Sequence, residues 1–117
     1  MKKVYYLKTC STCIRILKEL DLSPAFVLQD IKSNAITLEQ LEQMKALAGS
    51  FEALFSKRSR LYKEKDLKNQ DLTEVDFKNY ILEHYTFLSR PVILIDDQIF
   101  IGNSKKTVEA VKDYLAK

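Results

Sequence analysis

The chain has 117 residues, of which 46% are hydrophobic and 30% charged, a composition typical of one globular domain and not of a disordered chain. Its formal net charge of +3, with 19 basic and 16 acidic residues spread along the chain, argues against a nucleic-acid-binding protein. No apolar run approaches the roughly 20 residues of a membrane span, and residues 4–7 are too short for the apolar core of a signal peptide. We therefore expect one monomeric, cytoplasmic domain over residues 1–117, without a membrane partner.

The first part of the chain predicts a β-α-β unit. Residues 3–7 alternate and are rich in β-formers, which predicts a strand. After a turn, residues 13–20 carry apolar side chains at helical spacing. Pro24 interrupts the pattern, and residues 26–31 form the second predicted strand. This length is usual for a parallel crossover unit.

The middle of the chain predicts helices only. Thr37 and Gln40 have the spacing of a capping box, and Gly49 is a plausible left-handed end to the helix that follows. Thr73 begins a further predicted helix, whereas the charged residues 63–68 are predicted to be a solvated connector. One face of the first of these helices is predicted to carry Leu38, Leu41, Lys45 and Ala48.

The C-terminal part predicts a hairpin and a last helix. Residues 92–95 are a continuous apolar run that suits a buried strand, and the Asp96-Asp97 turn leads into residues 98–101. The last helix follows Ser104, with Val108, Val111 and Leu115 predicted on one face. The order β-α-β, helices, β-β-α predicts a thioredoxin-like α/β fold. It has a four-stranded mixed sheet flanked by helices, and a helical insert between strands two and three.

Both cysteines of the chain lie in one C-x-x-C segment, Cys10-Ser11-Thr12-Cys13, between the first strand and the first helix. A disulfide framework needs more cysteines, spaced further apart. A structural zinc site needs about four ligands, and His84 is the only other soft ligand in the chain. We predict no metal site within the chain, although a zinc ion shared between molecules stays open, as do two simply buried structural cysteines. Redox chemistry is the leading interpretation.

The position of each cysteine predicts its role. A thiol at the N-terminus of a helix faces backbone N–H groups and the positive end of the helix dipole, which favour the thiolate. Cys10 lies at the exposed cap position and is the predicted nucleophile. Cys13 lies one turn further in and is predicted to resolve a mixed disulfide or sulfenate on Cys10.

Two arginines are candidate oxyanion ligands, because a guanidinium binds tetrahedral oxyanions through paired hydrogen bonds and stays charged. Arg90 precedes Pro91 at the start of a strand, where we predict a cis bond that shapes the site. Arg58 is the second candidate. An ordinary surface arginine is the alternative for Arg58, and the residue types alone do not separate it from Arg60.

Three segments together resemble the arsenate reductase (ArsC) and Spx family, and the resemblance extends over nearly the whole chain. Residues 6–13 (YLKTCSTC) look like the family's redox loop. Residues 56–60 (SKRSR) are similar to its arginine-serine segment, which singles out Arg58. Residues 88–93 (LSRPVI) are similar to its arginine–cis-proline motif.

The resemblance implies a thiol-dependent oxidoreductase. In the glutaredoxin-linked arsenate reductases one cysteine attacks arsenate and three arginines hold it, and Cys10, Arg58 and Arg90 match the cysteine and two arginines. The third arginine is expected at residues 100–103, where this chain has none, and those reductases usually lack a cysteine at the position of Cys13. The implied partners are a small oxyanion or thiol adduct and an external donor, either glutathione with glutaredoxin or thioredoxin. No resident cofactor is expected.

The C-x-x-C is instead the pattern of Spx, a redox-switched regulator that binds the α subunit of RNA polymerase. The alternative function is therefore a non-enzymatic sensor that is switched by a Cys10–Cys13 disulfide.

Overall fold

The computed structural model describes residues 1–117. It contains four strands, five α-helices and three single turns of 3₁₀ helix. The strands are β1 (Lys2–Tyr6), β2 (Val27–Asp30), β3 (Val92–Ile95) and β4 (Gln98–Ile101). The α-helices are α1 (Ser11–Leu20), α2 (Leu38–Ala48), α3 (Arg60–Glu64), α4 (Glu74–Glu83) and α5 (Lys105–Leu115). The 3₁₀ turns are Glu52–Leu54, Leu67–Asn69 and Tyr85–Phe87. None of the helices combines the length and apolarity that a membrane-spanning helix requires.

The strands form one mixed sheet in the order β2-β1-β3-β4. β1 pairs in parallel with β2 and antiparallel with β3, and β3 pairs antiparallel with β4. The helices α2, α3 and α4 all lie in the chain between β2 and β3. This is the predicted thioredoxin-like order with its helical insert, so the predicted fold class is confirmed.

The chain forms two compact units. The first, which we call the sheet unit, consists of residues Met1–Asn34 and Arg90–Lys117 and contains the sheet with α1 and α5. The second, which we call the insert unit, is Ala35–Ser89 and contains α2, α3 and α4. That residues 1–117 form a single domain stays a prediction.

The core of the sheet unit lies between one face of the sheet and the helices α1 and α5. Alternate residues of β1 and β3 face this core, because successive side chains of a strand point to opposite sides. Its buried members are Val4, Tyr6, Cys13, Ile16, Leu20, Phe26, Ile93, Ile95, Val108 and Val111. Cys13 is therefore part of the packed interior as well as of the C-x-x-C.

The core of the insert unit contains a group of packed aromatic rings among buried aliphatic side chains. Phe55 packs against Phe77 with 4.8 Å between ring centroids and stacks on Phe87 at 5.3 Å. Tyr80 in turn lies 5.2 Å from the ring of Phe87. Short backbone bonds fix the two segments that carry these rings: Ser56 N donates to Phe87 O at 2.7 Å, and Ser89 N donates to Leu54 O at 2.8 Å.

Helix ends agree closely with the sequence prediction. Thr37 and Gln40 form the predicted capping box of α2, and Gly49 ends that helix with a left-handed φ of 96°. Thr73 begins α4 with a second capping box, which is closed by Asp76. Asp96, in the turn of the predicted hairpin, also has a positive φ of 55°.

Leu38 and Leu115 were each predicted on one helix face together with residues that are buried; they are 46% and 40% exposed because they lie in the first and last turns, beyond the packed core. One sequence prediction needs correction. The predicted connector contains helical turns and buries Leu67, although its charged side chains are exposed as expected.

Candidate active site

The C-x-x-C lies where the first strand gives way to the first helix. Cys10 is the N-cap residue of α1, with an extended backbone (φ −93°, ψ 111°). Its N–H donates to Leu7 O at 3.0 Å, and its carbonyl accepts the first helical bond from Ile14 N at 3.1 Å. The backbone therefore fixes the loop on both sides of Cys10, while the side chain is half-buried.

The surroundings of Cys10 favour its thiolate. Burial by itself raises the pKa of the Cys10 thiol, but several smaller effects together outweigh burial and lower the pKa below its ordinary value of 9.0. These are interactions with the N–H groups of Cys13 and Thr12 and with the Cys13 thiol, together with the positive charge of Arg90. This is the effect expected of a thiol at a helix N-terminus, which is a source of nucleophile at neutral pH.

Cys13 has the opposite character. Its side chain is fully buried, and burial is the main cause that raises the pKa of the Cys13 thiol to about 11. The neighbouring Cys10 raises it further, against a lowering contribution from the N–H of Leu7. Both cysteines are free thiols in this structure. The order of acidity is thus the predicted one, with Cys10 the more acidic thiol; which of them attacks a substrate stays a prediction.

Arg90 and Pro91 belong to the same unit as the cysteines. The Arg90–Pro91 peptide bond is cis, as predicted, and Pro91 is buried at the start of β3. The carbonyl of Pro91 accepts the N–H of Gly102 at 2.9 Å, which holds the start of β3 to the end of β4. The half-buried Arg90 is close enough for its charge to lower the pKa of Cys10. The structure therefore brings Cys10, Cys13 and Arg90 together.

Arg58 lies in the insert unit, in an exposed turn that precedes α3. Next to it, the buried Ser59 donates a hydrogen bond to Thr86 Oγ1 at 3.2 Å, which anchors the turn. Arg60 begins α3 and is exposed as well, so exposure does not distinguish the two arginines. A part for Arg58 in an oxyanion site stays a prediction.

Two backbone groups near the thiols were not singled out by the sequence. The N–H of Thr12 acts on Cys10 and the N–H of Leu7 acts on Cys13, each lowering a thiol pKa. The sequence signal for both was the strand–loop–helix context, which predicts N–H donors in general but not which residue supplies them. No group of three or more His, Cys, Asp or Glu side chains lies close enough together to hold a metal ion.

The chain has a dithiol on the first loop of a thioredoxin-like sheet, followed by a helical insert and a strand that begins after an arginine–cis-proline pair. This arrangement can be compared with known sequences. Residues 5–111 match the sequence model of the ArsC family. The chain belongs to the ArsC family.

Proteins similar to this ArsC-family chain include a transcriptional regulator and an arsenate reductase. An uncharacterized protein of Haemophilus influenzae is 31% identical over 113 residues, which cover 94% of this chain and 97% of the relative. The global transcriptional regulator Spx 2 of Bacillus cereus is 24% identical over 110 residues, covering 90% and 82%. The structure is similar to that of an arsenate reductase from Vibrio cholerae, with a TM-score of 0.74 and 20% identity, covering 96% of this chain and 97% of the other. At 20% identity, this structural similarity shows that the two chains share a fold.

Proposed function

We propose that this protein is a thiol-dependent oxidoreductase in which Cys10 is the nucleophile and Cys13 the resolving thiol. The difference between the two thiols carries the proposal. Cys10 is half-buried with a lowered pKa, whereas Cys13 is buried with a pKa of about 11. Cys10 therefore carries more thiolate than an ordinary cysteine at the same pH and is the thiol prepared to attack, while Cys13 is protonated at neutral pH.

The two-thiol cycle balances without a resident cofactor. The Cys10 thiolate attacks one sulfur of a disulfide substrate, forms a mixed disulfide, and releases the other sulfur as a thiolate that takes up a proton. Cys13 then loses its proton and attacks the Cys10 sulfur, which releases the second thiol. Two electrons pass from the dithiol to the substrate, and an external donor of the glutathione–glutaredoxin or thioredoxin class restores the dithiol.

Arsenate is the nominal small substrate. Its reduction to arsenite and water takes two electrons and two protons, which a dithiol supplies when it becomes a disulfide. Arg90, whose charge already acts on the thiols, is the first proposed ligand of the oxyanion. Arg58 is proposed as the second on the similarity of its segment alone. Since residues 100–103 contain no arginine, we expect weaker oxyanion binding than in a three-arginine reductase.

A turnover assay tests this function. Arsenate and glutathione mixed disulfides are supplied in parallel, each with glutathione plus glutaredoxin and with thioredoxin plus its reductase. Wild-type protein is expected to turn over at least one substrate. Cys10→Ser should abolish turnover, whereas Cys13→Ser should accumulate a covalent adduct on Cys10 that mass spectrometry detects. Absence of turnover with every pair, or full activity of Cys10→Ser, would contradict the proposal.

A second function is supported by the C-x-x-C itself together with the similarity to the Bacillus cereus regulator Spx 2. In this alternative the Cys10–Cys13 disulfide switches binding to the α subunit of RNA polymerase, and no substrate is turned over. Pull-down of purified α subunit by the reduced and the oxidised protein distinguishes the two functions. Binding in one redox state only, lost in Cys10→Ser, would favour the regulator.

A further inference from the structure

An open groove of about 470 Å³ begins beside the loop that carries Cys10. Thr9 and Ser11, the two neighbours of Cys10 in the chain, both line it and Cys10 itself does not, so the groove lies beside the reactive loop. Its volume is within the range of about 300–1,000 Å³ that small-ligand sites occupy. The complete lining is Lys8, Thr9, Ser11, Ile14, Arg15 and Lys18, all within the sheet unit.

The lining of this groove is strongly basic. Lys8, Arg15 and Lys18 are exposed, and none of them forms an ion pair in the structure. No carboxylate lines the groove. Two nearby carboxylates have partners of their own: Asp30 accepts Lys8 N at 3.0 Å and Ser33 Oγ at 2.8 Å, and Glu19, on which the charge of Arg15 also acts, pairs with Lys112 at 2.7 Å.

The length of the lining suits an extended anionic ligand better than a single oxyanion. From Ser11 to Lys18 the lining runs about 10.5 Å along the axis of α1, at 1.5 Å per residue, and Lys8 precedes the helix. A tetrahedral oxyanion is too small to contact a lining of this extent. Hydroxyls from Thr9 and Ser11 can bond peptide groups, and Ile14 offers an apolar contact.

We propose that this groove selects the protein's disulfide substrates by binding acidic peptide segments around the substrate cysteine. The proposal rests on the proposed function, since the peptide is the thiol adduct that Cys10 attacks. The peptide sulfur forms the bond with Cys10, the other sulfur leaves as a thiolate, and Cys13 later releases the peptide as a thiol. The groove holds the peptide during both steps and so favours acidic substrates over neutral ones.

Three peptides of equal length test this selectivity. Each contains one cysteine, activated as a mixed disulfide with thionitrobenzoate, and the flanking residues are glutamate, glutamine or lysine. Thionitrobenzoate release measures the attack by Cys10. We expect the acidic peptide to react about tenfold faster than the neutral one at low salt, with the difference shrinking as salt is added. Equal rates for the three peptides would overturn the proposal.

Charge-removing variants localise the effect. Lys18→Gln and Arg15→Gln should each slow the acidic peptide about twofold to fivefold, as expected of one exposed ion pair, and leave the neutral peptide unchanged. Lys63→Gln, an exposed lysine of the insert unit, is the matched control and should change neither rate. An equal loss in Lys63→Gln would show that net charge and not the groove is responsible, which contradicts the proposal.

Binding without reaction separates this proposal from the proposed function. Fluorescence anisotropy with serine in place of the peptide cysteine measures occupation of the groove alone. If the acidic peptide binds more tightly than the neutral one, and Lys18→Gln weakens this binding, the groove assignment is supported. If Cys10 nevertheless reacts with no peptide, only the oxidoreductase function is overturned. A single-stranded oligonucleotide that competes where acidic peptides do not would overturn the groove assignment in favour of a nucleic-acid site.

Discussion

The sheet unit and the insert unit are stabilised by different kinds of contact. The sheet unit combines a four-stranded hydrogen-bonded ladder with a mostly aliphatic core around Val4, Ile16 and Ile93. The insert unit has no strand, and its core contains a group of aromatic rings around Phe55 and Phe87 beside buried aliphatic side chains. The residues proposed to carry chemistry are mostly in the sheet unit, whereas the insert unit contributes one exposed arginine. Stability and reactivity can therefore be altered separately.

Helix N-termini differ in what their cap residues do. Thr37, Thr73 and Ser104 cap α2, α4 and α5 through side-chain oxygens that accept backbone N–H groups. Cys10 makes no such capping bond at the start of α1. The N–H groups that a serine or threonine would occupy are left to interact with the thiol instead, which is what lowers its pKa. At α1 the helix N-terminus therefore acts on a thiol, whereas at α2, α4 and α5 it bonds a side-chain oxygen of the cap residue.

The largest effect is expected from the aromatic core of the insert unit. Phe87 is fully buried and contacts Phe55 and Tyr80, so Phe87→Ala should reduce the free energy of unfolding by about 3–5 kcal/mol. Urea denaturation measures the loss, with the more exposed Leu82→Ala as the control. The pH profile of Cys10 alkylation should not change in the folded variant, because every group that acts on its pKa lies in the sheet unit. A loss below about 1 kcal/mol would show that the rings contribute little.

The next effect compares one arginine from each unit. Charge-assisted hydrogen bonds contribute about 1.5–3 kcal/mol each, so Arg90→Ala and Arg58→Ala should each lower arsenate turnover about tenfold to a hundredfold. Arg60→Ala is the control and should have little effect. Only Arg90→Ala should also raise the pKa of Cys10, which appears as an alkylation profile shifted to higher pH. Robust turnover that is indifferent to both arginines would remove them from the site.

A smaller effect is expected at the capped helices. Thr73→Ala removes the side chain that accepts Asp76 N and should reduce stability by about 1 kcal/mol. Thr73→Ser keeps the hydroxyl and should restore most of the loss in the same thermal or urea unfolding experiment. If serine fails to rescue, the methyl group of Thr73 and not its capping bond is the important contact.

The sequence was most informative where a local rule decides the structure. The capping box of Thr37 and Gln40 and the left-handed Gly49 depend on their own neighbours, and both were predicted correctly. The higher acidity of Cys10 follows from its place at a helix start in the same way. Leu38 and Leu115 were placed on the same helix faces as buried residues but are themselves exposed, because periodicity identifies a face but not where the core ends along it. Arg58 and Arg60 are both exposed, and neither pattern nor burial separates them.

The smallest effect concerns the cap of α1 and depends on pH. The folded-state pKa of Cys10 is lower than the ordinary 9.0 that holds in the unfolded chain, so between the two values the unfolded chain binds more protons. Cys10 therefore contributes stability that is present above pH 9 and lost as pH falls through the folded value. Cys10→Ser replaces the thiol by a hydroxyl that does not titrate. Urea unfolding of both reduced proteins at a series of pH values up to about 9 should show wild type gaining stability relative to Cys10→Ser as pH rises toward 9.0. Cys13, with its pKa raised to about 11, stays mainly protonated in the folded wild-type protein over this interval. A difference in stability that is constant with pH would mean that the folded protein does not favour the Cys10 thiolate. The N-terminus of α1 would then not lower the pKa of its cap residue, and its proposed difference from the caps of α2, α4 and α5 would be wrong.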